Sequence, residues 1–251
     1  SGIQDSIIVD IGGTTSDVGY IKAGFPRQSA IATDVGGVRT NFRMPDIISI
    51  GLGGGSLIRD NGNKVGPDSV GYRLTEKALV FGGDTLTATD IAVKHYDLDI
   101  GDKSLLNKLD DSTVKNAKQE ITRLLEEAVD KMKTSAENVP AVFVGGGTIL
   151  NKENLNGISE LVIPDNFAVA NAVGAALGQV SGEVDRVFHY EKLGREKTIE
   201  QASNEAKQLA KEAGAKESSI EINEINENPL AYLPGKSVRL QIKAIGDLEN
   251  Y

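Results

Sequence analysis

Ile7-Ile8-Val9-Asp10-Ile11-Gly12-Gly13-Thr14-Thr15-Ser16-Asp17-Val18-Gly19 is the stretch on which the fold turns. Ile7 to Val9 is a short apolar run, as a buried strand requires. It delivers one carboxylate, Asp10, to its end. Gly12-Gly13 then supplies a tight turn, two hydroxyl residues follow, and a second strand begins near Asp17. Exposed N–H groups of such a turn form a concavity that accepts anions, and a carboxylate beside it can hold magnesium, usually through water. The plainer reading of the same residues is a hairpin turn, which Gly-Gly serves in any protein. The segment is neither a Walker loop, since no G-x-x-x-x-G-K-[ST] occurs in the chain, nor a Rossmann turn, since no G-x-G-x-x-G opens a helix here.

Working outward, Ile47 to Ile50 reads as a strand. Gly53-Gly54-Gly55-Ser56 follows, and Leu57 to Val65 reads as a hairpin turning at Asn61-Gly62. Apolar residues Val114, Ala117, Ile121, Leu124, Leu125, Ala128 and Met132 recur at spacings of three and four, which predicts an amphipathic helix from Ser112 to Lys133 with Asp111 or Ser112 at its cap. Pro140 to Val144 is a buried strand running into Gly145-Gly146-Gly147, and Leu161 to Ile163 is another. Asp165 or Asn166 is placed to cap a helix rich in Ala and Gly. Beyond residue 182 the pattern changes to a strand, the charged helix Ile199 to Ala213, and two alternating strands. In the last, Val238, Leu240, Ile242 and Ala244 share a face. The expected division is therefore 1–182 for a main α/β unit and 183–251 for a small α+β extension.

Composition bounds the partners. Among 251 residues 39% are hydrophobic and 25% charged, which is ordinary for a globular domain. A formal net charge of −9 argues against nonspecific nucleic-acid binding. There is no Cys to form a disulfide or a thiolate metal site. No apolar run reaches the ~18 residues that suggest a membrane span, and no signal-peptide pattern is visible. These features lead to the expectation of a cytoplasmic protein with neither nucleic acid nor membrane as a partner. His95 and His189 stand far apart and are assigned structural or surface roles. Asp84 and Asp90 flank a Thr-rich helix start, where capping accounts for at least one of them.

Four segments then stand in one order: Asp10 to Asp17, Gly51 to Ser56, Val65-Gly66-Pro67-Asp68-Ser69-Val70-Gly71, and Gly82-Gly83-Asp84-Thr85-Leu86-Thr87-Ala88-Thr89-Asp90. Together they resemble the hydantoinase/oxoprolinase family over roughly residues 3–180. The resemblance implies a ribonuclease-H-like lobe of an actin-like ATPase fold, in the superfamily of actin, sugar kinases and heat-shock ATPases. It implies ATP and Mg as cofactors. Asp10 would serve catalysis and hold the metal, and Gly12, Gly13, Thr14 and Thr15 would form the second of two phosphate loops. Gly145, Gly146 and Gly147 would face the adenosine. Asp17, Gly53, Gly54, Gly55, Ser56 and Asp90 are further cleft candidates. A first phosphate loop of the form Asp-x-Gly-Gly-Thr is expected on a preceding N-terminal lobe, since Asp34-Val35-Gly36-Gly37 continues with Val38. The resemblance thus implies a C-terminal half, inactive alone, of an ATP-dependent hydrolase of a cyclic amide such as a hydantoin or 5-oxoproline, working in some relatives with a second hydantoinase-type subunit. Tyr72 to Lys77 departs from the larger oxoprolinase-type members and points to a shorter branch. A non-catalytic regulatory or assembly subunit, and a small-molecule kinase of the same superfamily, are the alternatives.

Overall fold

The computed structural model describes residues 3–22, 24–29, 34–35, 38–39, 44–176 and 178–249. Gly36 and Gly37, part of the weak alternative phosphate loop, lie outside the described residues. The chain divides into two compact units, Ser1–Asn171 and Ala172–Tyr251.

The first unit is built on a mixed sheet. Its strands are β1 (Ser6–Ile11), β2 (Ser16–Lys22) and β3 (Phe25–Pro26). Asp34–Val35 (β4) and Val38–Arg39 (β5) form a separate two-stranded ladder. β6 (Ile47–Ile50) pairs with β2. β7 (Ser56–Arg59) and β8 (Lys64–Ser69) make the expected hairpin. Its turn is a single 3-10 turn, Asp60–Gly62, in which Asp60 and Asn61 both take left-handed backbone angles. The helices are α1 (Leu74–Lys77), α2 (Ala88–Tyr96) and α3 (Asp111–Met132). β9 (Val139–Val144), β10 (Ile158–Val162) and α4 (Ala170–Ala176) follow. Among the described residues the main sheet runs β10-β9-β1-β2-β3, with β6 also on β2. β10, β9 and β1 are parallel, whereas β2 returns antiparallel to β1.

The core explains this order. Ile7, Val9 and Ile11 of β1 are fully buried, and so are Ala141 and Phe143 of β9. α3 presents Val114, Ala117, Ile121, Leu125, Ala128, Val129 and Met132 to the same cluster. Each fully buried Val, Leu, Ile or Met contributes about 1.5–3 kcal/mol relative to exposure, so this one stripe outweighs any surface feature of the helix. Leu124, expected on that face, is only partly buried at its edge. The helix cap also differs from expectation. Asp110, with extended backbone, accepts the Thr113 N–H at 3.1 Å, so α3 begins one residue before Ser112. Asn166 makes no side-chain cap; a 3-10 turn, Phe167–Val169, comes before α4 instead.

In the second unit β11 (Gln179–His189), α5 (Tyr190–Leu193), α6 (Arg195–Glu212), β12 (Glu221–Pro229) and β13 (Ser237–Asp247) make an antiparallel sheet β11-β13-β12 with α6 against it. Val238, Leu240, Ile242 and Ala244 are all buried, as their alternation requires. Ala202, Ala206 and Ala210 of α6 are fully buried at spacings of four. Opposite them stands Gly182, where an added Cβ would lie 2.2 Å from the Ala206 carbonyl oxygen. The helix backbone therefore approaches the strand backbone directly, and no larger residue fits there.

Candidate functional site

β1 and β9 run parallel with Asp10 in register with Val144, so both strands end at one edge of the sheet. In open α/β sheets the crevice beyond the carboxyl ends of parallel strands is where ligands collect. Three glycine-rich segments meet at this edge.

The first is the turn Gly12 to Thr15, closed by the Gly12 N–H donating to the Thr15 carbonyl at 2.9 Å. Gly13, Thr14 and Thr15 are exposed. The second is the loop Gly51 to Ser56. Its Gly54 and Gly55 amides donate to the carbonyls of Gly12 and Gly13 at 3.0 and 2.7 Å. Contact is tight enough that a Cβ on Gly53 would sit 2.5 Å from the Thr14 nitrogen. The third is Gly145 to Gly147. Gly145 has φ +87°, and a Cβ there would lie 2.4 Å from the Asp10 Oδ1. A Cβ on Gly147 would lie 2.6 Å from the Gly12 carbonyl oxygen.

This arrangement gives the turn a polarity. Its Gly12 and Gly13 carbonyls are occupied by the neighbouring loop, while the amides of Gly13, Thr14 and Thr15 donate to no acceptor among the described residues. The Gly146 and Gly147 amides open a 3-10 turn and are equally unspent. Thr148, next in that turn, buries a hydroxyl with no partner among the described residues. Added Cβ atoms on Gly13 and Gly146 would meet nothing within 4 Å, so the space in front of both is open. The edge is therefore a backbone cradle with donors facing out, which suits an anion.

Asp10 adds a carboxylate to this edge. It is half-buried and accepts a long hydrogen bond, 3.4 Å, from the Asn171 side-chain amide. Directly opposite it on β2 stands Asp17. Cross-strand partners share a face with Cβ atoms about 4.5–5.5 Å apart, and like charges so placed repel. Two carboxylates juxtaposed at the mouth of an amide cradle form a natural seat for a cation. Ser49 donates to Asp17 and holds one of its oxygens. Among the described residues no group of three or more His, Cys, Asp or Glu gathers to cage a metal. The pair suits magnesium, which keeps most of its waters and relies on one or two carboxylates plus phosphate oxygens.

Other candidates go elsewhere. Asp90 is fully buried, and its carboxylate accepts the N–H groups of Val80 and Thr87, each at 2.8 Å, and the Thr87 hydroxyl. With Thr87 it forms a capping box on α2, so it organises the wall and faces no ligand. Ser56 is also buried and accepts the Gly53 N–H, which shapes the loop. Asp84 is exposed; a hydrogen bond from Thr85, then the Lys77 charge, hold its carboxyl below the usual range. His95 lies 3.7 Å from Glu153, and His189 shares a 2.9 Å hydrogen bond with Ser237. The supports that sequence reasoning missed are Ser16, Thr89 and Asn171. Ser16 donates to the Leu52 carbonyl at 2.6 Å, and Thr89 donates to that of Gly54 at 2.9 Å. The alternating hydroxyls of Thr85, Thr87 and Thr89 were the one available signal; Asn171 had none.

The sequence model of the hydantoinase/oxoprolinase family matches residues 1–144, and the chain belongs to that family. No curated protein sequence matches it. Among solved structures it is similar to an ATP-dependent caprolactamase from Pseudomonas jessenii, with a TM-score of 0.63 and 18% identity. It is similar also to a nucleotide-free acetone carboxylase described in terms of ATP-dependent acetone carboxylation, with a TM-score of 0.57 and 18% identity. In both cases 99% of this chain is covered but only 47% of the other, so it spans about half the length of these relatives. What is shared is a fold with mixed α/β architecture.

Proposed function

We propose that this chain is the C-terminal half of an ATP-dependent enzyme that opens a cyclic amide of the hydantoin or 5-oxoproline class. In this reading residues 1–171 are one ribonuclease-H-like lobe of an actin-like ATPase fold, and another lobe supplies the facing wall of the cleft. The observation that carries the proposal is the backbone cradle of free amides at Gly13, Thr14, Thr15, Gly146 and Gly147, set beside the opposed carboxylates of Asp10 and Asp17.

ATP, when bound, supplies the phosphoryl group that turns an unreactive amide carbonyl into one water can attack. The chain's own task is positioning and charge stabilisation, which dominate catalysis of phosphoryl transfer. The Gly13, Thr14 and Thr15 amides hold anionic oxygens without reorganising, because the carbonyls behind them are tied to Gly54 and Gly55. Asp10, steadied by Asn171, and Asp17 hold magnesium. Gly146 offers a flat surface to the nucleoside. The caprolactamase is named for a cyclic amide and the carboxylase for a ketone, so a panel of both substrate types is the right assay.

The test is phosphate release by the protein joined to its other lobe, with hydantoin, 5-oxoproline, a lactam and acetone in parallel. Amide-dependent ATP hydrolysis is expected, and Asp10→Ala abolishes it. An Asp10→Ala protein that turns over ATP at the wild-type rate removes the phosphate-loop assignment. Tight ATP binding by the 251-residue chain alone, measured by calorimetry, removes the half-cleft reading.

A further inference from the structure

Away from the glycine loops, α2 and α3 line an open groove of about 390 Å³ whose walls include Lys94, Lys115, Lys118, His95, Asp111 and Glu153. The molecule as a whole carries a charge of −9, yet here three ammonium groups face two carboxylates. Lys118 is the unusual member. Its side chain is 8% exposed, and its Nζ donates to Asn151 Oδ1 at 2.8 Å and to the Thr122 hydroxyl at 2.9 Å. Both acceptors are neutral. The nearest carboxylate oxygen, Glu153 Oε2, is 3.6 Å away on a side chain 60% exposed, whose other oxygen lies 3.7 Å from His95. Buried charges are normally paired closely, so this one is under-compensated. Burial accordingly pulls the Lys118 ammonium below the usual lysine range. Lys94 is half-buried on the same wall, and neither its ammonium nor that of Lys115 has a carboxylate partner among the described residues.

We propose that this groove is a second anion site, distinct from the glycine cradle, and that it takes a small phosphate-bearing molecule between Lys94, Lys115 and Lys118. An entering dianion adds to the single 3.6 Å carboxylate contact of Lys118 and neutralises the ammonium groups of Lys94 and Lys115. Phosphate fits better than a carboxylate. The lining holds three lysines and no arginine; ammonium groups act as point charges, and a phosphate group brings them more negative charge and more acceptor oxygens than a single carboxylate does. The volume exceeds that of inorganic phosphate and leaves room for a small organic residue, within the usual range of roughly 300–1,000 Å³ for ligand pockets.

The experiment titrates inorganic phosphate into the 251-residue chain at constant ionic strength, with chloride as replacement, and follows backbone amide shifts. Shifts are expected at residues flanking Lys94 and Lys115. The double variant Lys94→Gln/Lys115→Gln, whose positions are not in the core, is expected to keep the remaining spectrum and to lose at least tenfold in phosphate affinity. Unchanged affinity in that variant overturns the proposal, as do shifts confined to Gly13, Thr14 and Thr15. Succinate binding as tightly as phosphate overturns the choice of ligand. None of these outcomes depends on ATP turnover, so the cradle reading is tested separately.

Discussion

Gly53→Ala is the sharpest perturbation of the candidate site, because its effect can be worked from contacts. The new Cβ would lie 2.5 Å from the Thr14 nitrogen, 2.6 Å from the Gly13 carbonyl carbon and 2.8 Å from the Gly12 oxygen. All three are backbone atoms of the turn and cannot swing away as a side-chain tip would. Relief requires the two segments to separate, which breaks or stretches the hydrogen bonds from Gly54 and Gly55 to Gly12 and Gly13. Overpacking costs about 1–3 kcal/mol, and two backbone hydrogen bonds add about 1 kcal/mol each. The expected loss is therefore roughly 3–5 kcal/mol, or about 6–20 °C in the melting temperature at about 2–4 °C per kcal/mol. Gly13→Ala and Gly146→Ala are the controls: neither Cβ meets anything within 4 Å, so both should melt within about 2 °C of wild type. In the protein joined to its other lobe the same two variants should weaken ATP binding, since the open space in front of them is where the nucleotide is proposed to lie. Differential scanning calorimetry of the first unit's transition decides the first point. A Gly53→Ala protein as stable as wild type refutes the close packing of turn and loop.

Asp90→Ala should destabilise the first unit by about 3–5 kcal/mol in urea unfolding, because it strands the buried N–H groups of Val80 and Thr87; a loss below about 1 kcal/mol contradicts the capping role. Lys118 predicts a pH effect. Its folded pKa is lowered by burial, so near and just below the ordinary lysine value the unfolded chain binds more protons and stability rises with pH. Lys118→Met should flatten that rise. The comparison belongs below the ordinary tyrosine value of about 10, since Tyr96, raised by burial, tilts the curve the other way above it; equal slopes in the two proteins sink the prediction. Gly182→Val should disrupt the second unit, where even a Cβ meets the Ala206 oxygen and the Ala210 nitrogen at 2.2 Å, and loss of α6 helicity by circular dichroism is the readout.

Local chemistry made much of this fold readable. The apolar run Ile7 to Val9, the three-four spacing along α3 and the alternation in β13 each report a burial pattern that neighbouring residues enforce. The two glycine segments Gly12-Gly13 and Gly145 to Gly147 were readable as special turns, and the structure brings them together. Less legible was the role of each polar residue within the site. Asp90 and Asp17 are both acids beside hydroxyls in the sequence; one caps a buried helix and the other faces Asp10 across a strand pair. That difference depends on register and burial, which only the assembled sheet determines. Asn171 illustrates the same limit, because its contact with Asp10 crosses 161 positions.

The parallel pairing of β1 with β9 has a consequence for how the protein is made. A ribosome releases the Asp10 turn well before the glycines that hold its back, at 145 to 147, which emerge about 130 residues later. At about 5–20 residues per second the nascent turn waits on the order of ten seconds with its edge unpaired. Synthesis order therefore leaves the apolar β1–β2 hairpin open to chaperone capture during that interval, and slow codons between residues 20 and 139 would lengthen it.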